Sequence, residues 1–444
     1  MKTTSPTTFL HSSRFDILAK YIYAKFLDQN IDSNFGLDLY AAHLKVWNNY
    51  THGDGKDGLD VYIDTFKQIL ASVKENGFDP QQSVVPVMRN SLQFNGIKLL
   101  NGGHRIAASL LYNKEVFYRH GEKSEGVTNV GYEYFKNHNR FVVGGLAEKW
   151  CDAIAFEYCK LKPNTYIVTI FPSATGDSQA HINAEKIIRD NSDIFYRKSL
   201  CLVNDGPFFL MRQMYLGEEW GGNFQNNFSG LRSKAKLCFQ KAKHSLSNNP
   251  VVCYVITTDK KDTKTIKEKI REIYKIGNHS IHINDTQEET MRLARCLLNN
   301  NSIHFMNNCR SVYYKDFENY IQYFKNYIKE NNLNLEDYCV TASSILSRYG
   351  VREGRDLDYL HTEENQITGH KEIHSHNEYG KNRYFTTYDD IIHNPFNHFY
   401  FEDVKYTSLD VVKKLKEKRG EEKDIADIKL IDTLNYSKSL WEEV

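Results

Sequence analysis

Apolar positions recur at helical spacing in the opening stretch of the chain and close up into short runs further along. Phe15, Leu18, Tyr21, Ile22 and Phe26 predict a helix over 14–27. Two more helices are expected over 37–47 and 59–76, the second closed by Gly77. Ser83-Val84-Val85-Pro86-Val87 reads as a short strand, followed by a turn at Asn90 and a second strand over 94–100. Asn101-Gly102-Gly103 breaks that strand, and a helix resumes over 104–111. Beyond residue 150, short apolar runs predict strands over 166–171, 194–198, 251–257 and 280–283. They alternate with helical patterns over 181–189, 207–215, 264–274 and 288–298. From Ser311 onward come an aromatic helix, segments at 338–346 and 355–360, a strand over 399–406, and helices over 409–418 and 425–430.

This alternation predicts an α/β (α+β) multidomain protein, with segments 1–145, 146–310 and 311–444. A chain of 444 residues is too long for one ordinary core, which agrees with that division. The hydrophobic share of 41% and charged share of 25% are those of a folded protein. With 57 basic and 56 acidic side chains, no broad basic face for duplex DNA is expected, so nucleic acid is not an expected partner. The eight cysteines form no Cys-x-x-Cys pair and sit in apolar contexts such as Leu237-Cys238-Phe239. They read as buried free thiols, and with no leader-like N-terminus the expected compartment is the cytoplasm. No apolar run approaches the ~18 residues of a membrane span, which leaves room only for work beside a membrane.

Two stretches carry candidate chemistry. The first is Leu99-Leu100-Asn101-Gly102-Gly103-His104-Arg105-Ile106-Ala107-Ala108-Ser109. A glycine pair between a strand and a helix lets a phosphate approach the main chain, where unpaired N–H groups and the helix dipole favour an anion. Arg105 can add a two-pronged contact to phosphate oxygens. On the glycines alone an ordinary turn explains the pattern equally well; the Val85-Pro86-Val87 strand and the small-residue helix tip the reading.

These residues resemble the ParB/sulfiredoxin-like superfamily, whose members carry Gly-x-His-Arg at such a junction, over residues from Gly77 to about Val116. The resemblance implies nucleotide binding, with phosphates on Gly102, Gly103, His104 and Arg105. Gly103 stands where sulfiredoxins have cysteine, and no basic helix-turn-helix follows, so the free-serine-kinase-like branch fits best. That branch needs a carboxylate, for which Asp54, Asp57 and Glu75 are the nearby acids.

The second stretch runs from Val340-Thr341-Ala342-Ser343-Ser344 to Arg355-Asp356-Leu357-Asp358-Tyr359. Residues i and i+2 of a strand share a face, so Asp356 and Asp358 would present two hard oxygen ligands to one spot. Such a pair suits Mg²⁺ bridging protein carboxylates and substrate phosphates. A solvated Asp-x-Asp edge is the plain alternative. The pattern resembles the polymerase-beta kind of nucleotidyltransferase, over about 338–432, including the helical Lys423-Asp424-x-x-Asp427 tail. The family's Gly before Ser is Ala342 here, which leaves open a degenerate domain that binds without turnover. Ser343 and Ser344 are the implied phosphate contacts, and Asp403 or Glu402 the third carboxylate.

The middle segment carries no familiar catalytic motif, although its Gly217-to-Gly222 and Gly230-to-Lys234 stretches mix glycines with charges as ligand loops do. His279, His282 and Asp285, or the pair His374 and His376, could hold a metal; capping and loop roles explain them more simply. Asn284-Asp285-Thr286 with Glu288 or Glu289 suits a helix start. The segment is loosely similar to domains encoded with bacterial capsule or lipopolysaccharide genes. The combined expectation is a phosphotransferase or nucleotidyltransferase acting on a sugar or polyol of a surface polysaccharide. Its cofactors would be Mg²⁺ and a nucleotide, ATP or a CTP/CDP-linked donor. The competing expectation is a nucleotide-sensing regulatory or assembly protein.

Overall fold

A computed structural model describes residues 2–52, 56–81, 84–89, 97–126, 129–137, 145–240, 248–362 and 366–435. The expected turn at Asn90 and the acid Asp54 lie outside these residues. The protein is mixed α and β, with several small sheets. Its two compact units are not consecutive in sequence. One comprises 1–170, 174–199 and 252–291; the other comprises 171–173, 200–251 and 292–444.

In the first unit, helices α1 (Asp16–Asp28), α2 (Phe35–Asn48) and α3 (Leu59–Asn76) follow the expected periodicity closely. They pack with α4 (Gly103–Leu111) beside a sheet of β1 (Lys2–Thr4), β2 (Val85–Arg89), β3 (Ile97–Leu99) and β4 (Val116–His120), ordered β1-β4-β2-β3. Pro86 has no N–H to give, yet its carbonyl still accepts from the Leu100 amide at 3.0 Å. The β3–α4 turn needs Gly102, which sits at φ +103°. A side chain at Gly103 would press within 3.0 Å of Arg14, Asp16 and Lys20, so the glycine permits close packing of α4 on α1. Those three residues form a buried ion cluster. Arg14 grips Asp16 with two hydrogen bonds of 2.8 and 2.9 Å, and Lys20 donates to the same carboxylate.

The rest of this unit is a second sheet. Strand β5 (Thr165–Ile170) leads through α6 (Ser178–Asn191) to β6 (Asp193–Leu200), and β7 (Val251–Thr257) through α7 (Lys260–Tyr274) to β8 (Ile281–Ile283). The strand order is β8-β5-β7-β6, with β5 antiparallel to both β7 and β8. That order and the βαββαβ sequence are those of a split βαβ, ferredoxin-like layer. Val168, Ile170, Val252, Tyr254 and Ile256 pack under Ile188 of α6 and Ile266 and Ile270 of α7. On the other side lies α5 (Glu148–Leu161), whose Tyr158 ring stacks on Phe195 at 3.7 Å. Between β6 and β7 the chain leaves for the second unit and returns.

The second unit is built on five strands: β9 (Tyr338–Thr341), β10 (Leu357–His361), β11 (Ile373–Ser375), β12 (His398–Phe401) and β13 (Val404–Thr407), ordered β11-β10-β9-β13-β12. The expected single strand over 399–406 is a tight hairpin, turning at Glu402 and Asp403, both at positive φ. Helix α8 (Leu409–Arg419) closes one side through Val411 and Leu415, and α9 (Glu422–Asn435) packs on α8. The Asp424 and Asp427 carboxylates pin Lys416, and Asp424 also takes Arg419. Among the described residues no helix is long and apolar enough to cross a membrane.

Candidate functional site

Asp356 and Asp358 lie at the start of β10, where the chain re-enters the sheet from the loop after Tyr349. Ser344 holds this entry in place. Its hydroxyl donates to the Asp356 carbonyl at 3.4 Å and accepts from the Asp358 amide at 3.1 Å. Ser344 is buried and so braces the carboxylate segment, whereas Ser343, before it, stays partly open to solvent. Ala342 opens this strand-to-helix turn at φ +55°, a backbone region that disfavours any residue with a Cβ.

Burial and the neighbouring Asp356 push the Asp358 carboxyl up to about 7, against the opposing pull of Arg419 and Lys416. Two acids held this way gain from a cation between them, and Mg²⁺ is satisfied by one or two carboxylates plus phosphate and water oxygens. Among the described residues no group of three or more His, Cys, Asp or Glu side chains is placed to hold a metal ion.

The row of residues beside Asp358 was not read from the sequence. Asp358 pairs across β9 with Thr341, and the β9–β13 register puts Thr407 next to Thr341, with the hydroxyls 3.3 Å apart. Thr341 also meets the Tyr384 hydroxyl at 2.9 Å, which in turn meets His376 Nδ1 at 2.9 Å. Burial, with Arg419, Arg383 and Lys416, holds His376 at about 4, so its ring is neutral. His374 points to solvent and His376 inward, so the doublet does not converge.

Asp403 is not brought to this place. Level with Asp337 by the strand register, it is four residues, roughly 13 Å, along the sheet from the Asp358 row. There it binds Arg292 at 2.8 Å and Arg295 at 3.5 Å, while Glu402 binds Arg212 at 2.5 Å. The hairpin turn aims both acids into arginine clusters at the opposite end of the sheet.

The chain matches no family model, no curated protein and no solved structure.

In the first unit, the four residues of the Gly-Gly-His-Arg stretch separate. Gly102 and Gly103 shape the turn and the helix start. His104 turns into the helical core, its Nε2 2.8 Å from the Tyr40 hydroxyl and its ring edge-on to Phe66. Arg105 instead lines a cavity of about 300 Å³ beside α3, with Thr65, Gln68, Ser72, Phe78 and Asp79. Among the described residues its buried Nη1 has no hydrogen-bond partner, and its guanidinium lies over the Phe78 ring. Burial lowers its pKa. Near β8, Asn284 ties the Ile167 amide at 2.7 Å, and Thr286 and Glu289 cap the following helix. Those polar residues are thus consumed by structure.

Proposed function

We propose that this chain transfers a phosphorus-containing group, nucleotidyl or phosphoryl, to a hydroxyl acceptor, at the start of β10. The observation that carries the reading is Asp358 beside Asp356, its carboxyl pushed up to about 7 by burial and by that neighbour. The positive φ of Ala342, at the position where the nucleotidyltransferase pattern has glycine, supports the resemblance. Mg²⁺ held by these two carboxylates would neutralise and align the phosphate oxygens of a nucleotide donor. In this reading Asp358 gives up its proton as the ion binds, and Ser344 fixes the spacing of the two acids through their backbone. Ser343, at the open side of the turn, is the phosphate contact. Arg105, in the ParB/sulfiredoxin-like part of the reading, serves a second nucleotide site. The acceptor class, a sugar or polyol of a bacterial surface polysaccharide, rests on the loose resemblance of the middle segment.

A second reading has one observation in its favour. Thr407, not an acid, completes the row beside Asp358 and Thr341, and Asp403 is elsewhere. With two carboxylates the unit could bind a nucleotide as a switch without turning it over.

The deciding experiment is nucleotide consumption with and without Mg²⁺, using ATP, CTP and UTP and a panel of sugar and polyol acceptors. Transfer reading: Mg²⁺-dependent turnover lost in Asp356→Asn and in Asp358→Asn. Switch reading: Mg²⁺-dependent binding lost in the same variants, with no turnover in the unaltered protein. Absence of any Mg²⁺–nucleotide binding in a folded sample would end both.

A further inference from the structure

A pocket of about 320 Å³ opens in the second unit, where the chain between Arg212 and Leu231 meets the turn at Glu402. Glu402 lies at the end of the sheet away from the Asp358 row, so this pocket is separate from the site proposed above.

Its rim is a fixed platform. A side chain at Gly230 would come within 2.0 Å of the Trp220 carbonyl oxygen, so the glycine lets the Trp220 loop seat directly on the Ser229–Phe239 helix. The adjoining turn is locked by two amide side chains. Asn226 Oδ1 accepts from the Asn223 amide at 2.9 Å, and Asn223 Oδ1 accepts from the Gln225 amide at 2.9 Å. On this platform large rings stay open to solvent, an arrangement that marks binding surfaces. Trp220 is 49% exposed, Tyr313 47% and Phe224 37%. Phe224 packs on Tyr313 with ring centroids 4.1 Å apart, and Trp220 stands edge-on to Tyr215, which lines the pocket.

The polar lining offers hydrogen-bonding groups of both kinds. Among the described residues Glu218 and Glu219 make no side-chain hydrogen bond or ion pair, and the Nδ2 groups of Asn223 and Asn226 have no partner. Arg212 is already engaged, since its guanidinium pairs with Glu402 at 2.5 Å and lies over the Phe228 ring at 4.6 Å. An anion would therefore meet carboxylates with no free cation beside them. A simple cation would suit the carboxylates and leave the amide donors unmatched. Hydroxyl groups donate and accept at once, so a polyhydroxylated molecule satisfies both sets. The C–H face of a sugar ring, in turn, lies flat on an open aromatic face. From this we infer that the pocket binds a neutral saccharide, with one sugar ring against Trp220 and its hydroxyls shared between Glu219 and Asn223. The inference does not rest on the transfer chemistry assigned to Asp356 and Asp358.

Calorimetric titration of the full chain with maltotriose, cellotriose, xylotriose and triacetylchitotriose tests it. Saturable binding is expected for at least one of the four. Affinity should fall about tenfold or more in Trp220→Ala and about fivefold in Glu219→Ala, while Trp220→Tyr should keep most of it. Asp356→Asn should leave it unchanged, which separates this pocket from the transfer reading. Trp220 and Glu219 are exposed, so both Ala variants should melt as the unaltered protein does. No saturable binding by any of the four, or binding indifferent to both Ala variants, would overturn the inference. So would self-association of the unaltered chain that Trp220→Ala abolishes, because the open rings would then belong to a contact between two copies.

Discussion

Single residues in this protein carry charge states that their sequence neighbours do not announce. Asp358 has a raised carboxyl pKa, so the folded, metal-free protein holds a proton there more readily than the unfolded chain does. Its stability should therefore fall as pH rises from about 4 to about 7, the window between the two pKa values. Asp358→Asn should remove that slope and raise the metal-free Tm at pH 8 by about 2 °C or more, read by calorimetry in chelator. Stabilisation by Mg²⁺ should grow over the same range, since the ion displaces the proton. Asp16 is the opposite case. Burial alone would raise its pKa, but Arg14 and Lys20 outweigh it and hold the carboxyl far below the usual range. Its contribution is complete above about pH 4 and is lost as pH falls below that. Asp16→Asn should cost about 3–5 kcal/mol in urea unfolding at pH 7, because it strands two buried cations. An Arg-x-Asp-x-x-x-Lys spacing is visible in the sequence, but it looks like a surface helix face until α4 closes over it.

At the scale of elements, hydrophobic spacing alone located α1, α2, α3 and the strands over 165–170 and 251–257, because each buries one continuous stripe or run. It did not locate α5, although Cys151, Ala155 and Tyr158 line one buried side of that helix. The hairpin at 402–403 was also hidden, since Glu-Asp is not a familiar pair for a turn with two positive φ angles. Ala342 is a local strain of this kind. Replacing it with Gly relieves an αL penalty of about 1–2 kcal/mol and loses a buried methyl worth about 0.8. Ala342→Gly should therefore be neutral to stabilising by about 1 kcal/mol in urea unfolding. Gly103→Ala should go the other way, because its Cβ would land within 3.0 Å of the buried ion cluster. A loss of about 2 kcal/mol or more is expected, and a change below about 0.5 kcal/mol would show that α4 can shift aside at little cost.

For the whole molecule, near-neutral charge predicts the absence of salt-dependent binding to duplex DNA, which a mobility-shift titration at 50 and 200 mM salt would show. Contacts far apart in sequence also build both units. The ferredoxin-like layer is interrupted between its second and third strands by the 200–251 excursion, and that excursion packs with residues beyond 292. No local pattern marks such an exit and return, since both the sheet and the excursion look like ordinary consecutive elements. By itself the sequence determined where most helices and strands lie and that the chain is mixed α and β. Those properties depend on periods of two and 3.6 residues and on steric rules that act over a few positions. Only the tertiary structure decided that His104 serves the core while Arg105 faces a cavity. It also decided that Thr407 stands in the same row as Thr341 and Asp358 while Asp403 lies at the opposite end of the sheet. Each of these depends on strand register and on packing between segments tens to hundreds of residues apart, for which the linear pattern holds no measure of distance.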